Sequence, residues 1–288
     1  MQEWWQHLPE LINPIAFSIG FISFHWYALF FIGGTLASLF LGIFLIRKGE
    51  SILSEEEMFD IFLFIFIGAS IGGRVGYVLF YNLGFFLESP LSIFSPYDFH
   101  SGVWTGISGM SFHGGLIGAG IALFFFVQKQ KNSGKNIAFW ETSDFLSLLV
   151  PVAIFFGRLG NFLNVELYGR VTSVSWGMFF PTTLESNEVL RHPSALYEAF
   201  LEGIVLFFVL YFFRKKMPFL GLSTCLFLLG YAIVRFIGEY FREPDSQMGF
   251  FLGGAFSFGQ VLSCVMIIVT AGIFFWLRKQ NRAILMVR

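Results

Sequence analysis

Long apolar runs recur from one end of this chain to the other, and a chain built that way has few ways to fold. Seven segments are apolar over, or nearly over, the length a helix needs to cross a bilayer: roughly 21–46, 58–82, 112–127, 145–163, 199–213, 220–241 and 255–277. Crossing about 30 Å of hydrocarbon takes about 20 helical residues. The third and fifth runs are short, which admits a re-entrant segment or local thinning of the bilayer. Only 13% of the 288 residues are charged while 56% are hydrophobic, about half the charge of an ordinary soluble domain. So few polar groups cannot cover a water-facing surface, which excludes a soluble enzyme, a disordered chain and a collagen-like one. The expectation is an all-α integral membrane protein with about seven transmembrane helices, forming a single polytopic domain over 1–288.

Charge sets the expected orientation. Arg47 and Lys48, then Lys129, Lys131 and Lys135, then Arg214, Lys215 and Lys216, and finally Arg278, Lys279, Arg282 and Arg288 fall on one side. The other side has Arg170, Arg191 and Arg242. Cytoplasmic loops collect Lys and Arg, so the N-terminus is expected outside and the C-terminus inside. Two excursions then face outward: 83–111, without Lys or Arg, and a periplasmic head at about 164–198, in which WGMFFPTT reads as a strand or turn. The opening MQEWWQHLPE lacks the basic start of a secretory signal peptide. A net charge of −1 gives no reason to expect nucleic acid. Cys225 and Cys264 lie in apolar runs and read as buried small hydrophobes. Five histidines and two cysteines offer no metal-ligand spacing, and no cofactor motif is present.

Three arginines lie inside spans: Arg74, Arg158 and Arg235. Each costs about 2.5–3.5 kcal/mol at a helix centre, so each needs a partner or a purpose. Counted from the inner end of each span at 1.5 Å per residue, they stand about 24, 21 and 22 Å up. Three arginines at one depth in the outer leaflet suggest a shared anion site, and phosphate is what Arg clusters bind best. Carboxylate pairing for assembly is the competing reading. Tyr231, Arg235, Glu239 and Arg242 fall within about 80° of arc on one helix face, with Glu239 able to pair with Arg235 at i,i−4. The fifth span opens with His192-Pro193-Ser194, followed by Glu198 and Glu202 on one face.

His113 opens the third span in SFHGGLIG, where Gly114 and Gly115 let another backbone or a lipid headgroup approach closely. A neutral imidazole near pH 7 can accept a proton. The nearby Gly106-Ile107-Ser108-Gly109 superficially resembles an intramembrane serine protease motif, but four residues in a Gly- and Ser-rich loop carry little weight.

The richest stretch runs Gly157-Arg158-Leu159-Gly160-Asn161-Phe162-Leu163-Asn164-Val165-Glu166-Leu167-Tyr168-Gly169-Arg170. It resembles the signature of the bacterial prolipoprotein diacylglyceryl transferases. The resemblance extends through HWYALF at 25–30, GGRVGYVLFYN at 72–82, GMSFHGGLIG at 109–118, HPSALYE at 192–198 and YAIVRFIGEYFREPD at 231–245. His25 stands where the family usually has Arg, and Ala195 where Gln is common. The resemblance implies an enzyme of the bacterial inner membrane. Its donor is phosphatidylglycerol and its acceptor the lipobox cysteine thiol of a prolipoprotein signal peptide. It forms a thioether and releases glycerol phosphate, with the active site toward the outer leaflet.

On that reading Arg158 and Arg235 hold the phosphate, with Arg74 and Arg242 as second choices. Tyr27, Asn161, Asn164 and Tyr231 hydrogen-bond the headgroup or ester oxygens, Glu166 and Glu239 orient the arginines, and Gly114 and Gly169 line the substrate. His113 is the leading candidate for the base that takes the thiol proton; the alternative is that it only positions the headgroup. The competing function is a transporter or channel for an anionic lipid or other anion. A conduit would need charge along its whole length, and here the inner halves of the spans carry almost none.

Overall fold

The computed structural model describes residues 3–20, 22–81, 83–95, 97–98, 103–104, 109–181, 189–243, 250–251 and 255–286. The chain is mostly helical. Its principal helices are α1 (Trp26–Arg47), α2 (Glu55–Tyr81), α3 (Phe112–Asn132), α4 (Phe139–Leu163), α5 (Ser194–Lys216), α6 (Leu222–Gly238) and α7 (Phe258–Met286). All but α6 are long and apolar enough to cross a membrane. At 17 residues, α6 extends about 26 Å. The two runs that are short in sequence are full helices of 21 and 23 residues, so neither needs to re-enter. Both gain length from polar residues that a hydropathy run excludes: Lys129 and Lys131 at the end of α3, Ser194 to Glu198 at the start of α5.

Helix α1 starts five residues later than its apolar run. Residues Ile22–His25 are instead a strand paired antiparallel with Ile15–Ile19, turning at Gly20, whose φ of 60° suits a residue without Cβ. Large apolar side chains such as Phe40, Phe275 and Ile268 are 64%, 64% and 71% exposed, a surface that only hydrocarbon can cover. Cys225 is buried as expected, whereas Cys264 is on the exposed face of α7. Residues 105–108, which include Ser108, lie outside the described residues, as do 182–188 of the expected head.

The chain packs as two compact units, residues 1–44 with 143–288, and residues 45–142. In the second unit α2 and α3 lie together along glycines spaced four apart. A Cβ on Gly72 would stand 2.4 Å from Gly114 O, and one on Gly118 would stand 2.1 Å from Gly68 O. Small residues at that spacing let two membrane helices approach to backbone contact. An ion pair joins the same helices at their charged ends, Lys129 to Asp60 at 3.3 Å, and Lys135, just beyond α3, pairs with Glu57 of α2 at 2.5 Å. The expected loop 83–111 contains a short helix, Leu83–Glu88, a turn at Pro90–Ile93 and a two-residue strand pair, Tyr97–Asp98 with Val103–Trp104.

The other unit contains α1, α4, α5, α6 and α7. Gly34 of α1 receives Phe156 of α4, and Gly203 of α5 receives Phe155; a Cβ at either would come within 2.6 Å of a phenylalanine carbon. Asp144 of α4 holds the start of α6, accepting from the N–H groups of Gly221 at 2.6 Å and Thr224 at 2.8 Å. Those are among the N–H groups that a helix start leaves without partners. Residues Ala199–Val205 wind as a π-helix inside α5, with Glu202 in it; such segments are rare and concentrate at functional sites. Beyond α4, Met178–Phe179 pairs antiparallel with Leu190–Arg191, so WGMFFPTT does contain a strand. The N-terminal turn packs Trp5, Leu8 and Ile12 on Phe162, Met178, Phe180 and Ala195.

Candidate active site

Three helices of the larger unit bring buried charges together. Arg158 of α4 reaches α5, placing Nε 2.9 Å from Glu202 Oε2 and Nη1 2.8 Å from Glu198 Oε2. The other oxygen of Glu198 accepts from Arg235 Nη1 of α6, and Arg235 Nη2 donates to Glu239 one turn on. Glu198 thus bridges the two arginines. Glu198, Glu202, Arg235 and Glu239 are buried, and the Arg158 side chain is 14% exposed. Bare charges are costly in a low-dielectric interior, and here each meets an opposite one. Arg158 and Arg235 thus share three glutamates, Glu198, Glu202 and Glu239, and Arg242 is buried as well. Tyr231 is buried one turn before Arg235. Each guanidinium carries five N–H donors, more than its two carboxylates take up, so donors remain for a further oxyanion.

The C-terminal end of α4 gathers the expected polar groups. Asn164 Oδ1 accepts from the Tyr27 N–H at 3.0 Å, and Gly160 lies against Tyr27, where a Cβ would stand 3.0 Å from its Cα. Asn161 Nδ2 donates to Glu166 Oε1 at 2.8 Å. Glu166, expected to orient an arginine, is held by an asparagine instead. Its neighbours Val165 and Leu167 have φ of 57° and 54°. Bulky residues adopt that left-handed conformation only when their surroundings enforce it, and such strain collects at functional sites. Here the Glu166 N–H donates to Asn161 O at 3.1 Å and Ser194 Oγ donates to Leu167 O at 2.7 Å, pinning both sides of the loop.

Gly169 has a backbone reason for being glycine. Three segments cross there, and a Cβ would stand 2.4 Å from Phe241 O and 2.5 Å from His192 O. Arg242 forms an antiparallel bridge with Gly169, and Arg170 donates from Nε to Arg242 O at 3.0 Å and from Nη2 to Glu239 O at 3.2 Å. Burial pushes the His192 imidazole below its usual pKa, and its Nδ1 lies 3.2 Å from the Tyr197 hydroxyl.

The other expected residues belong to the smaller unit. Arg74, a second choice for the phosphate, is taken up by backbone. It donates from Nε to Ile93 O at 2.5 Å, from Nη2 to Ser92 O at 2.7 Å and from Nη1 to Gly109 O at 3.3 Å. Its guanidinium also sits 4.9 Å over the Phe86 ring. It ties the segment after α2 to the start of α3. His113 is the second residue of α3, whose first turn is capped by Ser111 accepting from Gly114 N at 3.3 Å. The close approach that Gly114 was expected to allow is made by another backbone, that of Gly72. Among the described residues, no group of three His, Cys, Asp or Glu side chains is placed to hold a metal ion.

The sequence did not single out Ser257 and Gly259, which lie against the Glu239 carboxylate at the start of α7, or Gln260, which bonds Ser257. The pattern Ser257-x-x-Gln260 reads as an ordinary capping box, so nothing in it pointed to a charged partner.

Residues 14–276 match the family described as prolipoprotein diacylglyceryl transferase. A phosphatidylglycerol–prolipoprotein diacylglyceryl transferase of Chlorobaculum tepidum is 45% identical over 280 residues, covering 96% of this chain and 94% of the relative. Proteins of the same name from Campylobacter hominis and Vibrio campbellii are 40% and 45% identical, covering 96% and 94% of this chain and 95% and 92% of theirs. Six long apolar helices, the buried pairing of Arg158 and Arg235 and this likeness over almost the whole length lead to one conclusion: the chain belongs to the prolipoprotein diacylglyceryl transferase family.

Proposed function

We propose that this protein transfers the diacylglyceryl group of phosphatidylglycerol to the thiol of a lipobox cysteine in a prolipoprotein signal peptide. The thiolate sulfur attacks an sp³ carbon of the lipid glycerol and a carbon–sulfur bond forms. The carbon–oxygen bond to phosphate breaks, and its electron pair stays with glycerol phosphate. The observation that carries the reading is the Glu198 bridge, which fixes two permanently charged guanidiniums from separate helices beside one another. Negative charge grows on the phosphate as it leaves, and preorganised donors in a dry site stabilise it most. Arg158 and Arg235 take that role. Tyr27, Asn161, Asn164, Tyr231 and Arg242 hold the headgroup and ester oxygens, and Glu239 orients Arg235. The thiol has a pKa near 8.5 in water, and His113 takes its proton.

Twelve basic residues on one side support an inner-membrane protein with the C-terminus in the cytoplasm and this chemistry toward the outer leaflet. The transporter reading draws no support from relatives that are named as transferases. The test is incubation of the purified protein with phosphatidylglycerol and a lipobox peptide. The peptide is expected to gain the mass of one diacylglyceryl unit, and the Cys→Ser peptide to gain nothing. A peptide unchanged in mass while the lipid is hydrolysed contradicts the transfer.

A further inference from the structure

Glu239 holds Arg235, and something must in turn hold Glu239, because a carboxylate with a free rotor would drag the guanidinium with it. The structure surrounds it with the start of α7. Ser257 Oγ donates to Glu239 Oε2 at 2.5 Å, and Ser257 and Glu239 are 2% and 4% exposed. Ser257 is itself fixed by a reciprocal capping box. Its N–H donates to Gln260 Oε1 at 3.0 Å, and the Gln260 N–H donates to Ser257 Oγ at 3.2 Å. Between them Gly259 leaves a flat place against which the carboxylate lies: a Cβ there would stand 2.7 Å from both Cδ and Oε1 of Glu239. The first turn of a helix has unpaired N–H groups and a partial positive charge, so a carboxylate resting there is further held.

We propose that Ser257 and Gly259 are positioning residues for the transfer reaction. They act through Glu239 to fix the donor geometry of Arg235. The inference rests on the reading that Arg235 grips the departing phosphate. A chain of contacts then runs from the start of α7 through Glu239, Arg235 and Glu198 to Arg158, so one helix end sets the aim of both guanidiniums.

The test measures kcat, KM for phosphatidylglycerol and thermal stability for Ser257→Ala, Ser257→Thr, Gln260→Ala, Glu239→Gln, the Ser257→Ala/Glu239→Gln double variant and Arg235→Lys. Ser257→Ala should lose about tenfold to a hundredfold in kcat, the size of a lost hydrogen bond to a charged group, with KM within about twofold. Ser257→Thr, which keeps the hydroxyl, should restore most of the rate. Gln260→Ala removes only the side-chain half of the capping box and leaves the backbone N–H bond to Ser257 Oγ and the Ser257–Glu239 bond in place, so it should lose stability but little turnover. In the double variant Ser257→Ala should cost almost nothing beyond Glu239→Gln, because the two act in series. The positioning role is overturned if Ser257→Ala keeps the wild-type kcat, if Gln260→Ala loses as much kcat, or if the two losses multiply in the double variant. An inactive Arg235→Lys beside a fully active Ser257→Ala sinks this inference alone. An active Arg235→Lys sinks the reading beneath it as well.

Discussion

Glu198 shows how one residue decides what two others can do. With an oxygen on each arginine, it holds two like charges side by side that would otherwise repel. The arginines could be picked out in the sequence because a charge inside an apolar run demands an explanation, and the helical spacing of Tyr231, Arg235 and Glu239 placed them on one face. Their partners were half legible: Glu198 and Glu202 stood out as a pair, but which arginine each meets depends on how three helices pack. Arg74 stood out in the same way, but the backbone carbonyls that accept from it leave no mark in a sequence. His113 belongs to the same scale. As the proposed base, its replacement by Asn should lower turnover by about 100- to 10,000-fold while lipid binding stays nearly unchanged. A loss of only a few-fold, or a parallel collapse of lipid binding, makes it a group that positions the headgroup.

At the scale of elements, hydropathy located every long helix but misjudged several ends. Polar residues at helix ends can keep their charged tips in water while their stems cover apolar surface, so α3 runs on through Lys129 and Lys131. The strand at Ile22–His25 was hidden because an apolar strand entering a helix looks like more helix. Contact between α2 and α3 depends on the absence of side chains at Gly68, Gly72, Gly114 and Gly118. Gly118→Val is therefore expected to destabilise the protein by at least about 1–3 kcal/mol, since added carbons in a close-packed contact force backbone apart. Gly120→Ala, a substitution on the same helix that meets nothing within 4 Å, should leave stability close to wild type. Thermal unfolding in detergent compares the two, and equal melting temperatures would argue against backbone contact between α2 and α3.

For the molecule as a whole, the fold class was legible because a membrane leaves a chain so few choices, whereas the division into two compact units was not. The basic asymmetry makes one further prediction. Reporters at the C-terminus and at 130–135 should read cytoplasmic, and tags within 83–111 and 164–198 should be reachable from outside. A C-terminal reporter active in the periplasm would reverse the proposed orientation. The central claim is that Arg158 and Arg235 stabilise the departing phosphate and do not merely hold helices together. The measurement that tests it most directly is the transfer rate of Arg158→Lys and Arg235→Lys, taken beside their lipid affinity and melting temperature. Lysine keeps the charge but loses the planar, paired donors. Both variants should fold and bind phosphatidylglycerol, yet lose most of their turnover, because a misplaced donor is felt most when the charge is greatest. Near wild-type transfer, or a loss of rate that only tracks unfolding, would contradict the account and leave these arginines as structural ion pairs.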